Sequence, residues 1–221
     1  MKDKYHSLGI GRKSKWQVIN PGIRYSINID RGVENKPKSE NKTFNLIWIG
    51  RFAEIKNPKL ALEVLGILQK SSDFSFHLTM VGDGKLFDDC KKFAQHKNLN
   101  VDFAGWKADV SHELAQADLL LFTSENEGFG MVIVEAALAG VLVLSTSSGG
   151  ITDFIKDKVT GIIVDQRPNE FAKAVLEICA ENKEFSKIVT NARTLAISDF
   201  SADAYVERHL QLYRSFHEKL S

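Results

Sequence analysis

Between residues 44 and 164, short continuous runs of apolar side chains alternate with longer stretches in which apolar positions recur every three or four residues. The short runs suit strands covered on both faces and the longer stretches suit amphipathic helices. The pattern therefore predicts repeated strand-helix units around a parallel sheet. The strands fall at 45–49, 76–81, 101–103, 119–123, 141–145 and 162–164. That spacing predicts an α/β fold with a Rossmann-like, doubly wound parallel sheet.

The helix after the first strand is the best marked. Asn57 can cap it, and Pro58 can take its first position, where a missing N–H costs nothing. Leu60, Leu62, Val64, Leu65 and Leu68 then offer one buried stripe. Further helices are expected over 131–139, 169–180, 184–197 and 201–220, with Ser201 as the cap of the last. Ahead of this block, 16–19 reads as a strand ending at Asn20-Pro21-Gly22, and 31–43 as a polar loop or hairpin.

Composition narrows the classes of function. With 221 residues, 43% hydrophobic and 26% charged, the chain can bury a sizeable core. Its 29 Lys and Arg against 28 Asp and Glu leave a net charge of +1, so no electrostatic footprint for nucleic acid is present. An anionic ligand must then be held by local groups. Cys90 and Cys179 lie far apart without metal-ligand spacing, which fits buried thiols in a reducing compartment. Neither a signal peptide nor a run long enough for a membrane helix is present, so a cytoplasmic chain is expected.

In an open parallel sheet, ligands bind beyond the carboxyl ends of the strands, which directs attention to the residues after each one. After the first strand, Gly50-Arg51 and Lys56 place two cations on one loop. They can clamp a diphosphate, or they can be solvated surface charges. After the fourth strand, the stretch from Ser124 to Glu135 carries Glu127, Gly128, Phe129 and Gly130 in a loop that leads into a helix beginning at Met131 and Val132. The two glycines permit close backbone approach, and free N–H groups at the helix start can receive a phosphate oxygen. Glu127 can then accept bonds from sugar hydroxyls or cap the helix. Glu135, one turn in, can accept hydroxyl donors or be a buried charge with an internal partner.

Other motifs are weaker. Gly149-Gly150, after the fifth strand, suits either an anion or a tight turn without a ligand. Val81-Gly82-Asp83-Gly84-Lys85 opens like a dinucleotide fingerprint, but Phe87 stands where the third glycine should fall. P-loop, nucleophile-elbow and zincin motifs are absent, as is an Asp-x-Asp pair, and the six histidines are scattered.

Taken in order, Gly50-Arg51 with Lys56, Val81-Gly82-Asp83-Gly84, Phe103-Ala104-Gly105, Ala117-Asp118, Glu127-Gly128-Phe129-Gly130 with Glu135, and Gly149-Gly150 resemble the donor-binding half of a GT-B glycosyltransferase. The specific resemblance is to the retaining, nucleotide-sugar-dependent enzymes of glycosyltransferase family 4 (group 1). It implies that Arg51 and Lys56 neutralise the donor diphosphate and that Glu127 holds the sugar hydroxyls, assisted by backbone N–H groups near Phe129 and Gly130. It also implies that Met131 and Val132 meet the phosphate or ribose, that Glu135 accepts the ribose hydroxyls, and that Gly105, Trp106 and Lys107 lie along the base edge. The donor would be a UDP sugar, with hexosyl transfer and no cofactor or metal required. Asp153 and Lys85 depart from the residues more usual in the family, Glu and Pro.

The resemblance divides the chain into a remnant of an N-terminal domain and crossover (1–15), a nucleotide-sugar-binding domain (16–200) and a C-terminal helix (201–221). The acceptor, a glycan or glycolipid, would be bound by an N-terminal domain missing from this chain, which alone should bind nucleotide with little transfer. Self-association through Tyr205, Leu212 and Phe216, and peripheral attachment of the full enzyme at the inner face of a membrane, are further expectations. A non-catalytic nucleotide-binding subunit of a split glycosyltransferase, or a related GT-B epimerase or phosphorylase, stays open as an alternative.

Overall fold

The computed structural model describes residues 7, 9, 17–23, 43–71, 74–147, 149–180 and 182–217, with the side chains of 182–184 outside that set. The apolar runs form six strands: β1 Phe44–Ile49, β2 Phe76–Val81, β3 Val101–Gly105, β4 Leu119–Phe122, β5 Leu142–Thr146 and β6 Ile162–Val164. All pair in parallel, in the order β3-β2-β1-β4-β5-β6. The chain winds outward from β1 to β3, then returns to place β4 against the other side of β1. The order thus reverses between β1 and β4, and a crevice opens beyond their carboxyl ends.

Seven helices accompany the strands among the described residues: α1 Pro58–Ser71, α2 Phe87–His96, α3 Ser111–Gln116, α4 Met131–Leu138, α5 Pro168–Ala180, α6 Asn182–Phe200 and α7 Ala202–His217. Single 3-10 turns lie at Glu54–Lys56 and Gly149–Asp153. The expected start of α1 is present, since the Leu60 N–H donates to Asn57 Oδ1 at 3.3 Å and Pro58 is the first helical residue. The α1 stripe packs with α5 over one face of the sheet, where Trp48, Phe52, Leu65, Phe171 and Val175 join a single core. Each such side chain contributes about 1.5–3 kcal/mol through burial. Ile47, Leu120 and Val143, on the opposite face of their strands, are equally buried, which accounts for the unbroken apolar runs.

Backbone contacts divide the chain into two compact units, one of residues 1–26 and 195–221 and the other of 27–194. In the first, the strand expected at 16–19 does not form. Residues 17–20 carry no regular structure, and Val18 is 56% exposed. Pro21 lacks a ladder donor, and pairing occurs only beyond it. There Ile23 bridges Ser201, giving its N–H to Phe200 O at 2.8 Å and accepting from Ala202 N at 3.0 Å. Ser201 caps α7 as expected, taking the Ala204 N–H at 3.2 Å. Residue 16, residues 31–42 of the expected loop, 218–220 of the expected helix, and all of 1–15 except 7 and 9 lie outside the described residues. Among the described residues no helix is long and apolar enough to cross a membrane.

Candidate functional site

The loop after β1 is built on the core. Phe52 is fully buried, with its ring 4.9 Å from those of both Trp48 and Phe87. Its backbone joins the loop after β2, with Phe52 N–H donating to Asp83 O at 2.9 Å and Leu86 N–H to Phe52 O at 3.0 Å. The glycines of Gly82-Asp83-Gly84 serve this junction. A Cβ at Gly82 would lie 1.9 Å from Gly50 O, and one at Gly84 would lie 2.5 Å from Phe52 O. Packing accounts for the motif without a nucleotide. Gly50 and Arg51 are held at the crevice as a result, and Arg51 is exposed.

Lys56 ends the turn Glu54–Lys56 and meets the loop after β4 directly. Its Nζ donates to Glu127 Oε2, and Glu127 Oε1 accepts the Gly128 N–H at 3.0 Å. The two side chains are 24% and 15% exposed. An ammonium has three donors and a carboxylate about four acceptor sites, so each partner keeps capacity for another group. Such a partly exposed pair contributes about 1 kcal/mol or less, and an arriving ligand can share it at little cost. Glu127 therefore does not cap α4. The Glu125 N–H donates to Ile55 O at 2.9 Å, closing the same junction through the backbone.

The double glycine after β5 supports this loop from behind. The Gly150 N–H donates to Glu127 O at 2.9 Å, and a Cβ at Gly150 would lie 1.8 Å from Gly128 O. Of the two roles open to Gly149-Gly150, backbone contact with 126–128 is the one the structure displays.

α4 begins at the mouth of the crevice. Gly130 precedes it with φ at +74°, a left-handed conformation that favours glycine, and a Cβ there would crowd Ile133 Cδ1 at 3.1 Å and Phe122 Cζ at 3.2 Å. No side chain caps this terminus and no acidic residue lies in its first turn. The first N–H groups of a helix have no partner within it, which leaves those of Met131 and Val132 for a ligand or water. Glu135 lies one turn further, half-buried, and among the described residues no donor reaches its carboxylate. Burial, and secondarily the charge of Asp109, push its carboxyl above the ordinary value. The internal partner weighed for Glu135 is thus absent among the described residues.

Beyond β3, Trp106 is 73% exposed. Lys107 Nζ donates to Glu113 Oε1 on α3 at 2.9 Å, which draws this cation into the loop's own structure. Burial alone would raise the Glu113 carboxyl, but the hydrogen bonds from Lys107 and from its own backbone, with the Lys107 charge, outweigh it and hold it below the ordinary value. Phe129 is half-buried and Gly128 is exposed.

Arg51, Lys56, Glu127, the start of α4 and Glu135 therefore lie on the segments that follow β1 and β4, while Trp106 and Lys107 follow β3. Residues 30–195 match the family model described as "Glycosyl transferases group 1". The chain belongs to this family. Two curated glycosyltransferases are among its relatives. It is 29% identical over 211 residues to the lipopolysaccharide core biosynthesis glycosyltransferase LpsE of Rhizobium meliloti, covering 93% of this chain and 60% of that protein. To the D-inositol 3-phosphate glycosyltransferase of Paenarthrobacter aurescens it is 31% identical over 170 residues, covering 73% of this chain and 40% of that protein. The chain spans about half the length of the curated relatives it matches. In fold it is similar to Anabaena HepE, solved in complex with UDP and glucose, with a TM-score of 0.78 at 21% identity over 97% of this chain and 60% of that one. The six-stranded parallel sheet is thus a GT-B glycosyltransferase domain.

The family resemblance and the motif spacing pointed to the charged and glycine positions of the site but not to what holds them. Thr123, placed at the end of a strand by its apolar neighbours, and Glu113 carried no motif. Only a polar residue at the end of an apolar run marked Thr123.

Proposed function

We propose that this chain is the nucleotide-sugar-binding half of a retaining family 4 glycosyltransferase that transfers a hexosyl group from a UDP sugar to a glycan or glycolipid acceptor. The observation that carries the reading is the Lys56–Glu127 pair between the loops after β1 and β4, beside the uncapped start of α4. A cation that can meet a diphosphate and a carboxylate that can accept sugar hydroxyls are thereby neighbours where the sheet order reverses. UDP in the complex of the similar fold of HepE, and the lipopolysaccharide core biosynthesis of the relative LpsE, agree with it.

On this reading Arg51 and Lys56 hold the diphosphate near Gly50, and Glu127 accepts the sugar hydroxyls beside the backbone of Gly128, Phe129 and Gly130. The N–H groups of Met131 and Val132 meet phosphate oxygens, and Glu135 takes the ribose hydroxyls that its carboxylate lacks as donors. The base lies along Trp106 and Lys107. In the reaction the bond between the anomeric carbon and the diphosphate oxygen breaks, and the oxygen keeps the electron pair. Arg51 and Lys56 stabilise that charge, so the reaction calls for no metal ion. The acceptor hydroxyl bonds to the same face of the anomeric carbon and passes its proton to the departing phosphate oxygen. The acceptor would be held by a further domain, as the greater length of the relatives allows, and this chain alone would bind donor with little transfer.

Calorimetric titration with UDP, GDP and ADP tests the reading. UDP binding that weakens by about tenfold or more, roughly 1.4 kcal/mol, in both Arg51→Ala and Glu135→Ala is the expected result. Unaltered binding in either variant would remove that residue from the site, and no binding by the folded chain would remove the reading for the isolated domain.

A further inference from the structure

Thr123 carries no charge and belongs to no motif, yet its hydroxyl proton ends on the turn that bears Lys56. The side chain is 1% exposed. Its hydroxyl accepts from Trp48 Nε1 at 2.9 Å, and its single proton is shared between the carbonyls of Lys56 and Asn57, each 2.8 Å away. Trp48 is a core residue, 2% exposed, with its ring against Phe52, so the hydroxyl stands on a fixed base. Asn57 holds φ at +46°, in the left-handed region that asparagine tolerates better than most residues, and the bond from Thr123 fixes its carbonyl there.

Alternate residues after β4 each grip this turn. Thr123 holds the carbonyls of Lys56 and Asn57, the Glu125 N–H holds the carbonyl of Ile55, and the Glu127 carboxylate holds Lys56 Nζ. The first two fix the backbone from which Lys56 emerges, and the third fixes the ammonium. Of the three, only Thr123 grips the turn with a side chain that is itself buried.

We propose that Thr123 is the positioning residue of the site: by holding the Lys56 and Asn57 carbonyls from the end of β4, it sets where the Lys56 ammonium meets a diphosphate. This rests on the reading of Lys56 given under the proposed function. A hydroxyl is required, because a valine of the same shape would leave the Trp48 N–H and the Lys56 carbonyl without this partner and the Asn57 carbonyl with the Leu60 N–H at 3.2 Å.

The test compares Thr123→Val, Thr123→Ser and Trp48→Phe in the full chain. Binding of UDP and of uridine is measured by NMR titration, and amide hydrogen exchange over 53–57 is measured without ligand. Thr123→Val should lose about tenfold in UDP affinity, keep its uridine affinity and exchange faster over 53–57. Thr123→Ser should restore all three. Trp48→Phe, which keeps the hydroxyl on the carbonyls, should leave UDP affinity within about twofold. If Thr123→Val fails to fold, Trp48→Phe combined with Thr123→Val removes the orphaned donor and carries the same expectations. Equal losses for UDP and uridine, or exchange over 53–57 unchanged from the wild type, would overturn the proposal. A wild-type chain that does not prefer UDP to uridine would overturn the diphosphate reading instead, and the exchange measurement would still decide whether Thr123 holds the turn.

Discussion

Replacing Gly150 with alanine adds one methyl group, 1.8 Å from Gly128 O and 2.9 Å from Gly128 C. Those neighbours are backbone and cannot step aside as a side-chain tip would. Gly150 lies outside the left-handed region, so the cost is steric rather than conformational. Overpacking of this kind costs about 1–3 kcal/mol. Separation of the two loops also weakens the bond from Gly150 N–H to Glu127 O, now 2.9 Å, which is worth about 1 kcal/mol. Together these come to about 2–4 kcal/mol, and for a chain of this size the melting temperature should fall by about 4 °C or more. The same displacement moves Glu127 away from Lys56, so UDP affinity should fall by about tenfold. Gly128→Ala is the matched control, because a Cβ there meets nothing within 4 Å. It should melt within about 1 °C of wild type, and any loss of UDP affinity would report space taken from the ligand. Calorimetric melting and UDP titration of both variants decide the matter. A Gly150→Ala protein that melts and binds as the wild type does would refute the reasoning.

Three other perturbations separate fold from site. The Glu135 carboxyl is raised by burial and then by Asp109, so the fold favours its protonated form; that advantage is present below the ordinary value of 4.5 and is lost as the pH rises through the raised one. Glu135→Gln should therefore raise the melting temperature at pH 7 with the gain closing below about pH 4, while UDP binding weakens; curves that coincide across this range would contradict the assignment. Trp106→Ala, at a residue 73% exposed, should change stability by about 0.5 kcal/mol or less yet weaken UDP and uridine alike, and unchanged titrations would take Trp106 out of the base site. Lys56→Met should lose more than about tenfold in UDP affinity with uridine unaffected, while removal of its bridge to Glu127 costs about 1 kcal/mol or less by urea denaturation.

How much was legible in the sequence depended on whether a residue's environment leaves a local pattern. Strands covered on both faces appear as continuous apolar runs, and all six were placed within a residue or two. α1 was announced by Asn57 and Pro58, which act within their own turn. α2 and α3 leave no such pattern, because α2 fully buries only Cys90 and Ala94 and α3 only Leu114, too little to stand out as a stripe. In the site, the charged and glycine positions could be named but their partners could not. Gly149-Gly150 reads equally as an anion site until the backbone of 126–128 is seen across it, and Lys107, expected along the base edge, shows its partner only once Glu113 is found beside it. Thr123 is the extreme case, since its hydroxyl proton ends on backbone carbonyls, which every residue has.

On the proposed function, a nucleoside diphosphate sits beyond β1 and β4, where the sheet order reverses. Backbone amide shifts of the labelled chain, followed as UDP is added, decide whether it does. The expected result is that the largest saturable changes fall on Gly50 and Arg51 after β1 and on Gly130, Met131 and Val132 at the start of α4. Saturable changes confined to the other end of the sheet, around Phe44 and Phe76, or no saturable change in a folded chain, would contradict it.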